Sequence, residues 1–362
     1  MKPTLNSFHA FVIVYMLEVN VSIFHNPRIG VENIGTNYWL GMLILSLAAM
    51  INIYFISLVI RKAKGRSVFE IMEASIPKPL LYPIYAGLVL LWVSFSSVSL
   101  KHYGLISQYI AFPVRDGIVI YLMCILLVYY LLLQNIYGLS KAITCFFFIV
   151  VWIPLIILYC IPSWDFLRLT PFLFQGTTKP ITVFSWAEVY QVFVGYEMAL
   201  ILIPYFDKKG KWVKGLYWGQ ALVSATYLFT AIIISGFFSF EQLQKITYPV
   251  ITLLSYIELP FLNRVEILSF TLYTFNIISV TTIYCFAALL VLKRLFPAGK
   301  VKWMALAIVL ALFGLVVGFD ISRHTERFFR ILNNFEISLA VISPFVLLIL
   351  LMIHQTRKER RT

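Results

Sequence analysis

Two stretches decide how this chain can fold: VYMLEVNVSIFHNP at residues 14–27 and AEVYQVFVGYEMALILIPYF at residues 187–206. Each belongs to a long apolar run, and each is interrupted by residues that weaken a helix. Asn20 and Ser22 interrupt the first because their side chains compete for the hydrogen bonds of the helix backbone, and Gly195 interrupts the second. At membrane depth, irregular backbone is tolerated only where protein buries it or where it lines a cavity. The two stretches therefore predict a pair of broken membrane helices at a polar site. The alternative for the first stretch is an intact helix whose two polar residues face a neighbouring helix.

The composition of the whole chain is that of a membrane protein. Of its 362 residues, 61% are hydrophobic and only 12% are charged, whereas soluble domains average about 45–50% apolar and about 25% charged residues. A helix that crosses the hydrocarbon needs ~20 apolar residues. We therefore predict an all-α polytopic membrane protein and exclude a soluble enzyme. Ten spans are predicted, at residues 8–25, 38–60, 80–104, 116–133, 142–161, 183–205, 215–238, 264–292, 301–319 and 337–354.

The distribution of charge predicts the orientation of these spans. The net charge is +13, and 19 of the 29 Lys and Arg residues fall on one side of the predicted topology. Basic residues collect in the cytoplasmic loops of membrane proteins. We therefore expect both termini to be cytoplasmic, and we assign the positive charge to membrane topology and not to nucleic-acid binding.

Ten spans divide into two halves of five, at residues 8–161 and 183–354. An odd number of spans in each half places the two halves in opposite orientations, which is the inverted-repeat design of many secondary transporters. In such folds the substrate lies near the midplane, at discontinuous helices. Spans 1 and 6 are the first helices of the two halves, and they contain the two interruptions. We predict a single integral membrane domain with a 5+5 inverted repeat and interrupted helices 1 and 6.

Ionisable groups within membrane spans are costly, and by default they mark functional sites. Glu197, in the middle of span 6, is a candidate to hold a proton, to pair with a cationic ligand group or to bond unwound backbone, and Glu18 in span 1 is similar. The alternative for each is a protonated structural carboxyl bonded to a neighbouring helix. Small polar residues of spans 3 and 8 either line the same cavity or join helices together. The predicted ligand-binding residues are Asn20, Val21, Ser22, Ser97, Gly195, Tyr196, Glu197 and Asn276.

Motifs for enzymatic chemistry are absent from the sequence. The chain has no phosphate-binding loop of the GxxxxGK[ST] or GxGxxG type, no HExxH zinc motif and no GxSxG nucleophile elbow. Its cysteines form no CxxC pair, and they indicate neither a metal site nor a disulfide framework. We expect no enzyme, no cofactor and no metal. The four cysteines are Cys124, Cys145, Cys160 and Cys285.

The segment at residues 240–263, FEQLQKITYPVITLLSYIELPFLN, is apolar but is broken by Pro249, Glu258 and Pro260. These interruptions make it unsuitable as an ordinary span. We predict an extracytoplasmic interfacial or re-entrant helix that leads into span 8.

Two motifs resemble those of a known family. FVGYEMALILIP at residues 193–204 resembles the pattern F-x-G-[FY]-E followed by apolar residues and a Pro. The stretch at residues 248–268 resembles a segment with a Pro, an aliphatic run and then L-E-x-P-x-x-x-R-x-[DE]. The chain is similar in these motifs to the GerAB-type spore germination permeases, the B subunits of nutrient germinant receptors in the amino acid–polyamine–organocation superfamily. The matching residues of the second motif are Glu258, Pro260, Arg264 and Glu266.

The resemblance implies a LeuT-like fold of ten helices in the inner membrane of a dormant endospore. It also implies a complex with a membrane-anchored A subunit and a lipoprotein C subunit. The B subunit would bind a small nutrient, often an amino acid, at a midplane pocket and so trigger germination. The motif before span 8 would have a gating or structural role. One position departs from the family, which usually has a glycine-rich stretch in span 1 where this chain has Asn20, Val21 and Ser22.

Two other functions stay open from the sequence. A proton-coupled amino acid transporter of the same superfamily would use Glu197 as its proton site. A structural element of an ion-conducting complex would have no ligand site of its own. The leading hypothesis is the receptor subunit. Because a ligand shifts a conformational equilibrium only by its differential affinity for the two states, this hypothesis predicts a cavity that closes around the nutrient.

Overall fold

The computed structural model describes residues 5–110, 117–170, 173–207, 211–260, 262–318 and 323–359. Within these ranges every element of regular secondary structure is a helix, as the all-α prediction requires. Short 3₁₀ segments at Val21–Phe24, Ile153–Ser163, Phe166–Leu169, Gln191–Phe193 and Ile203–Tyr205 extend or connect the α-helices. The α-helices are α1 (Ser7–Glu18), α2 (Asn26–Asn33), α3 (Tyr38–Ala63), α4 (Val68–Ser75), α5 (Lys78–Ile110), α6 (Ile118–Leu132), α7 (Ile136–Val150), α8 (Val183–Tyr190), α9 (Met198–Leu202), α10 (Val213–Phe237), α11 (Phe240–Lys245), α12 (Pro249–Ser255), α13 (Val265–Leu272), α14 (Thr274–Leu295), α15 (Val301–Gly318) and α16 (Arg323–Glu359).

The lengths of the apolar helices make this chain an integral membrane protein. In the described ranges, 7 helices are long and apolar enough to cross a membrane, or 8 if α8 and α9 with their 3₁₀ extensions count as one bent span. These correspond to eight of the predicted spans. The remaining two predictions, at residues 8–25 and 116–133, coincide with the shorter apolar helices α1 and α6; residue 116 itself lies outside the described residues.

Two element boundaries differ from the sequence prediction. Span 10 was predicted at residues 337–354, but α16 begins at Arg323 and ends at Glu359, because the helix continues through the polar residues before its apolar run. Residues 240–263 were predicted to form one helix, but they form two, α11 and α12. Pro249 begins the second of these, since proline fits the first turn of a helix and not its interior.

Helix α14 lies at the centre of the bundle. Helices α13 and α14 form one long span, and 83% of its apolar 18-residue stretch is buried. Helix α14 packs against α1, α5, α6, α7 and α15. In contrast, only 28% of the corresponding 18-residue stretch of α15, and 28% of that of α16, is buried. Helix α6 directs Val119, Met123, Leu126 and Tyr130 outward. An outward apolar surface of this kind is compatible with lipid and not with water.

Helix α1 lies against α10 through a close approach of the two backbones. A Cβ atom at Gly215 would collide with the carbonyl oxygen of Ser7, and one at Gly219 would lie 2.9 Å from the carbonyl oxygen of Phe11. This GxxxG spacing therefore allows the close contact that small residues provide in membrane bundles. A second GxxxG spacing begins at Gly314 in α15, where an added Cβ would meet no atom within 4 Å.

One side of the bundle is covered by a short helix near the end of α1, and the other side has an open vestibule near the end of α9. On one side, α12 packs against the 3₁₀ turn Val21–Phe24 that follows α1. On the other, a vestibule of about 900 Å³ reaches Ile201 and Pro204 at the end of span 6. Its charged residues belong to the side that the charge pattern predicts to be cytoplasmic. They are Lys64, Arg66, Glu70, Glu73, Lys78, Lys293 and Arg294.

Candidate functional site at two broken helices

Helix α1 ends inside the bundle, where the sequence predicts an interruption. The α-helix stops at Glu18, Asn20 is extended with φ −99° and ψ −169°, and the 3₁₀ turn Val21–Phe24 follows. Asn20 Oδ1 accepts a hydrogen bond from the backbone N–H of Ser22 at 2.8 Å. The asparagine side chain thus replaces a backbone partner and starts the turn. Asn20, Val21 and Ser22 form the break, and all three are buried.

Side chains cap the backbone carbonyl groups that lose their helical partners at this break. The four capping bonds run from Asn276 Nδ2 to Met16 O at 3.0 Å, from Asn20 Nδ2 to Leu17 O at 3.3 Å, from Tyr227 Oη to Glu18 O at 2.8 Å and from Tyr273 Oη to Val19 O at 2.6 Å. A buried polar group without a partner costs about 1–3 kcal/mol. These donors therefore stabilise the broken backbone within the membrane. The sequence analysis predicted a role for Asn276 but missed Tyr227 and Tyr273.

Span 6 breaks next to the same point. Helix α8 and its 3₁₀ extension end at Phe193, α9 begins at Met198, and the two segments are bent by 41°. Gly195 lies between them with φ +142°, a conformation that glycine adopts readily and other residues rarely. Glu197 Oε2 accepts a hydrogen bond from the Gly195 N–H at 2.8 Å. The predicted charge site is therefore also a cap of its own break.

The two breaks are in contact with each other. A Cβ atom on Gly195 would lie 2.9 Å from Leu17 Cβ and 3.2 Å from Glu18 Cγ, which is closer than carbon atoms normally pack. Position 195 thus requires glycine both for its backbone conformation and for its contact with the end of α1. A molecule that enters directly between the breaks has to separate Gly195 from Leu17.

The hydroxyl groups of two other predicted ligand residues bind protein partners. Tyr196 Oη lies 2.7 Å from Tyr190 Oη, and this buried pair joins the break of span 6 to the end of α8. Ser97 Oγ donates to Val93 O at 2.7 Å and lies 3.5 Å from Leu312 O. The second contact joins α5 to α15, so the position of Ser97 favours the helix-packing interpretation over the cavity interpretation.

Three carboxyl side chains come together at the breaks. Glu18 is 0% exposed, Glu197 is 4% exposed, and Glu336 of α16 is 1% exposed. Glu197 lies close to both of the others, and Glu336 also faces Tyr284 and Trp92. Among the described residues, the ion pairs that form include none of the three carboxyls. The site is therefore acidic and has no basic side chain paired with it.

The sequence analysis missed Glu336 because it placed the start of span 10 one residue later. A helical pattern in the sequence indicates the helix face on which Glu336 lies, although not what it contacts. Asn333, Glu336, Ala340 and Leu347 lie on one face of α16 by their spacing, and all four are buried. Positions three, four and seven residues apart share a helix face. Glu336 lies on the same face as the buried apolar residues of α16, so its side chain points into the bundle.

Comparison with known proteins identifies the family. The sequence pattern of a family described as spore germination protein matches residues 4–324. The chain belongs to the spore germination protein family. A relative, the spore germination protein GerQB of Bacillus cereus, is 21% identical over 358 residues, which cover 97% of this chain and 95% of the relative. The family match confirms the resemblance found in the two sequence motifs.

In this spore germination protein, the motif before α13 joins helices near their ends. Arg264 Nε donates to Glu266 Oε1 at 2.8 Å, and Arg264 Nη2 donates to Ile110 O at 3.2 Å. These bonds connect the start of α13 to the end of α5. Glu258 and Pro260 are exposed in the segment before α13. Two residues of this germination-family motif, Arg264 and Glu266, therefore lie at a junction between two helices.

Proposed function

We propose that this chain is the B-type subunit of a spore nutrient germinant receptor. It binds a small nutrient, such as an amino acid, at the breaks of spans 1 and 6, and it triggers germination through partner subunits. The observation that carries this proposal is the contact of the two broken helices, with Gly195 against Leu17. Broken helices that meet in this way form the substrate sites of inverted-repeat transporters, and the family match supports germination as the process.

The proposal includes a LeuT-like arrangement of ten spans in the inner membrane of the endospore, with both termini cytoplasmic. Helices α1 and α6 would complete the spans at positions 1 and 4, and the bent pair of α8 and α9 would be span 6. The partners would be a membrane-anchored A subunit and a lipoprotein C subunit. A resting spore would hold the three subunits together, and nutrient binding would change the contacts between them.

The contact between the breaks suggests how binding would be transmitted. The nutrient acts as a wedge, because its entry separates Gly195 from Leu17. It stabilises the separated state only by the amount by which it binds that state more tightly than the contact state. Helix α9 runs from the break towards Ile201 and Pro204 in the wall of the vestibule. A movement of α9 would therefore reach the proposed cytoplasmic side, where partner subunits respond to it.

A proton-coupled amino acid transporter is the second candidate function. One observation favours it: a cluster of buried carboxyls lies at a broken helix whose far end opens into a vestibule of about 900 Å³. A carboxyl that binds and releases a proton during each cycle is a common device of transporters. Under this alternative, Glu197 would carry the coupling proton.

Binding and uptake distinguish the two functions. The full chain is reconstituted into liposomes and tested with labelled amino acids, sugars and nucleosides, with and without a proton gradient. A receptor binds its nutrient saturably without accumulating it, and the transporter accumulates it along the gradient. Glu197→Gln should weaken binding in the first case and abolish gradient-driven uptake in the second. Glu188→Gln is the matched control, because Glu188 lies on the same span but pairs with Lys179 at 2.9 Å.

The germination role is tested in spores. Spores that lack this chain should lose their response to at least one nutrient, and the wild-type gene should restore it. Co-purification from spore membranes should recover an A-type and a C-type subunit with the wild-type chain. A normal response of the deleted spores to every nutrient of the panel would refute the receptor proposal.

A further inference from the structure

We propose that the vestibule on the predicted cytoplasmic side binds a phosphate monoester. The vestibule is the open cavity of about 900 Å³ that reaches the end of span 6. A phosphate monoester carries about 1.5–2 negative charges at neutral pH and offers three acceptor oxygens. The inference goes beyond the proposed function, because it concerns a second site, away from the two breaks, and a different class of ligand.

Three segments of the chain bring basic side chains to this vestibule. Lys64 and Arg66 belong to the turn after α3, Lys78 begins α5, and Lys293 and Arg294 lie in the last turn of α14. The positive-inside tendency explains why loops on this side are basic. It does not require basic residues of three distant segments to line one cavity. Charge of one sign that is concentrated in a cleft attracts a ligand of the opposite sign.

The two carboxyls of the vestibule are already engaged with the protein. Glu70 Oε2 accepts a hydrogen bond from the Ser67 N–H at 3.0 Å, in the capping box that begins α4. Glu73 accepts a hydrogen bond from Tyr85 Oη at 3.3 Å and pairs with Arg294 at 3.4 Å. With five basic and two acidic side chains in its wall, the vestibule keeps a net charge of +3.

Four of the five basic side chains have no acidic partner. The ion pairs formed within the described part of the chain include none of Lys64, Arg66, Lys78 and Lys293. Arg66 Nε donates to Ala63 O at 3.3 Å, which leaves its two Nη groups for a ligand. Lysine binds phosphate as a point charge, and arginine binds it through paired N–H donors. A phosphate monoester would therefore supply the counter-charge of the vestibule.

Charge and the number of acceptors favour a phosphate monoester over a carboxylate. A carboxylate brings one negative charge and two oxygens, whereas the wall of the vestibule carries a net charge of +3. A monoester brings more charge, and its three oxygens provide one for each of the three basic segments. We therefore expect the vestibule to discriminate between the two kinds of anion.

Two sources can present this group to the vestibule. The wall includes the aromatic side chains of Phe69, Tyr82 and Tyr205. Tyr82 is 50% exposed, and the apolar side chains of Leu80 and Ile84 face outward on either side of it. The vestibule thus borders an outward apolar surface at the start of α5. A phospholipid whose headgroup is a phosphate monoester can reach it from the membrane, and a soluble phosphate ester can reach it from the cytoplasm.

A bound phosphate would also act on span 6. Ile201 and Pro204, at the end of that span, form part of the same wall as the basic residues. A ligand that joins the turn after α3 to α5 and α14 stabilises the arrangement in which these walls lie as they do here. Binding should therefore raise the melting temperature of the chain.

Matched soluble and lipid probes test the proposal on the full chain in phosphatidylcholine nanodiscs, at constant pH and ionic strength. The soluble probe is radiolabelled glycerol 3-phosphate. The lipid probe is phosphatidic acid, which carries the same phosphate monoester on a diacylated glycerol. We expect saturable binding of at least one probe, together with a rise in melting temperature. Acetate and phosphatidylglycerol, each with one negative charge, should bind at least tenfold more weakly than the corresponding probe.

The two arms distinguish the sources. Binding of glycerol 3-phosphate in pure phosphatidylcholine assigns the site to soluble phosphate esters. A melting temperature that rises with the mole fraction of phosphatidic acid, without binding of glycerol 3-phosphate, assigns it to a lipid headgroup.

Variants locate the binding in the vestibule. Lys78→Gln and Lys293→Gln should each raise the apparent Kd at least threefold, and the two together should raise it at least tenfold. Lys302→Gln is the matched control, because it removes the same charge from the same predicted side but outside the vestibule, and it should leave the Kd unchanged. All three lysines are exposed, and melting of each variant without a probe checks that it is folded.

Several outcomes would overturn the phosphate site. They are the absence of binding of both probes, equal binding of acetate or phosphatidylglycerol, and a Kd that Lys302→Gln raises as much as Lys78→Gln does. A vestibule that binds neither probe but retains an acidic segment of a partner subunit would overturn it as well. The proposed receptor function fails by a different result, namely a normal response of spores without the chain to every nutrient of the panel.

Discussion

Replacement of Gly195 by alanine is the most direct test of the contact between the two breaks. The change adds one methyl group at a residue whose φ is +142°. The new Cβ would lie 2.9 Å from Leu17 Cβ and 3.2 Å from Glu18 Cγ. Both the backbone of span 6 and the end of α1 would therefore have to move.

Two effects determine the expected loss of stability. A residue with a side chain in a rarely populated backbone region costs about 1–3 kcal/mol. Additional atoms in a well-packed core cost about 1–3 kcal/mol more. We therefore expect Gly195→Ala to lower the free energy of unfolding by about 2–6 kcal/mol. The entropy of unfolding grows by about 2.1 cal/mol/K per residue, so 1 kcal/mol corresponds to about 1.3 °C of melting temperature in a chain of 362 residues. The expected shift is therefore about 3–8 °C.

The cysteines of the chain provide the assay. Cys124, Cys160 and Cys285 are buried, whereas Cys145 is exposed. In a Cys145→Ser background, a thiol-reactive fluorophore should label the chain only as it unfolds. The melting temperature of Gly195→Ala is then compared in detergent with that of Gly314→Ala, at which the added Cβ meets no atom within 4 Å.

The control should melt at the wild-type temperature or slightly above it, because alanine is the better helix former by about 1 kcal/mol. Membrane proteins commonly unfold irreversibly, so all variants are heated at one rate. If Gly195→Ala melts within one degree of the wild-type chain, the two breaks do not touch as described. The proposed wedge between Gly195 and Leu17 would then have no basis.

Three further predictions follow from the same contacts. Gly219→Ala should destabilise the chain by about 1–3 kcal/mol, because its Cβ would lie 2.9 Å from a carbonyl oxygen of α1; an unchanged melting temperature in the thiol assay would contradict the close approach of α1 and α10. Tyr273→Phe should cost about 1–3 kcal/mol, since it removes a 2.6 Å bond to the break. Tyr284→Phe should cost less in the same assay, because the Tyr284 hydroxyl completes no hydrogen bond among the described residues; the reverse order would refute the capping of the break. Glu188→Gln removes ion pairs to Lys179 at 2.9 Å and to Arg330 at 3.4 Å. We expect the free energy of unfolding to fall by less than about 1 kcal/mol, because all three side chains are partly exposed. A fall in melting temperature as large as that of Gly219→Ala would show that these pairs hold α16 in place.

The membrane class and the positions of the long helices were accessible from the sequence. Apolar runs of about 20 residues follow from the thickness of the hydrocarbon, whatever the fold. The exact ends were not accessible where polar residues continue a helix, as in α16, or where a proline starts a second one, as at Pro249. The ten-span inverted repeat stays a prediction, since α1 and α6 are too short to pass as spans by length alone.

The breaks themselves were also accessible, because Asn20 and Gly195 act on their own backbone. Their partners were not accessible. Tyr227 and Tyr273 bond to the carbonyls of Glu18 and Val19, at the end of α1, from positions more than 200 residues away in sequence. No local pattern marks a tyrosine as such a donor. Glu336 comes from the opposite end of the chain to Glu18. Which distant side chains converge on a break depends on helix packing, and that became visible only in the structure.

The capping of the first break has a consequence for ligand recognition. Where a broken helix leaves its backbone N–H and C=O groups without partners, these groups bind the ligand. Relatives with the same break then offer the same backbone groups to a ligand. Here Asn276, Tyr227 and Tyr273 occupy the carbonyls, and Asn20 and Glu197 occupy amides. In the proposed receptor, recognition would therefore depend on side chains. Since side chains change one at a time while the backbone stays broken, a receptor of this design would be able to acquire a different nutrient specificity without changing its fold.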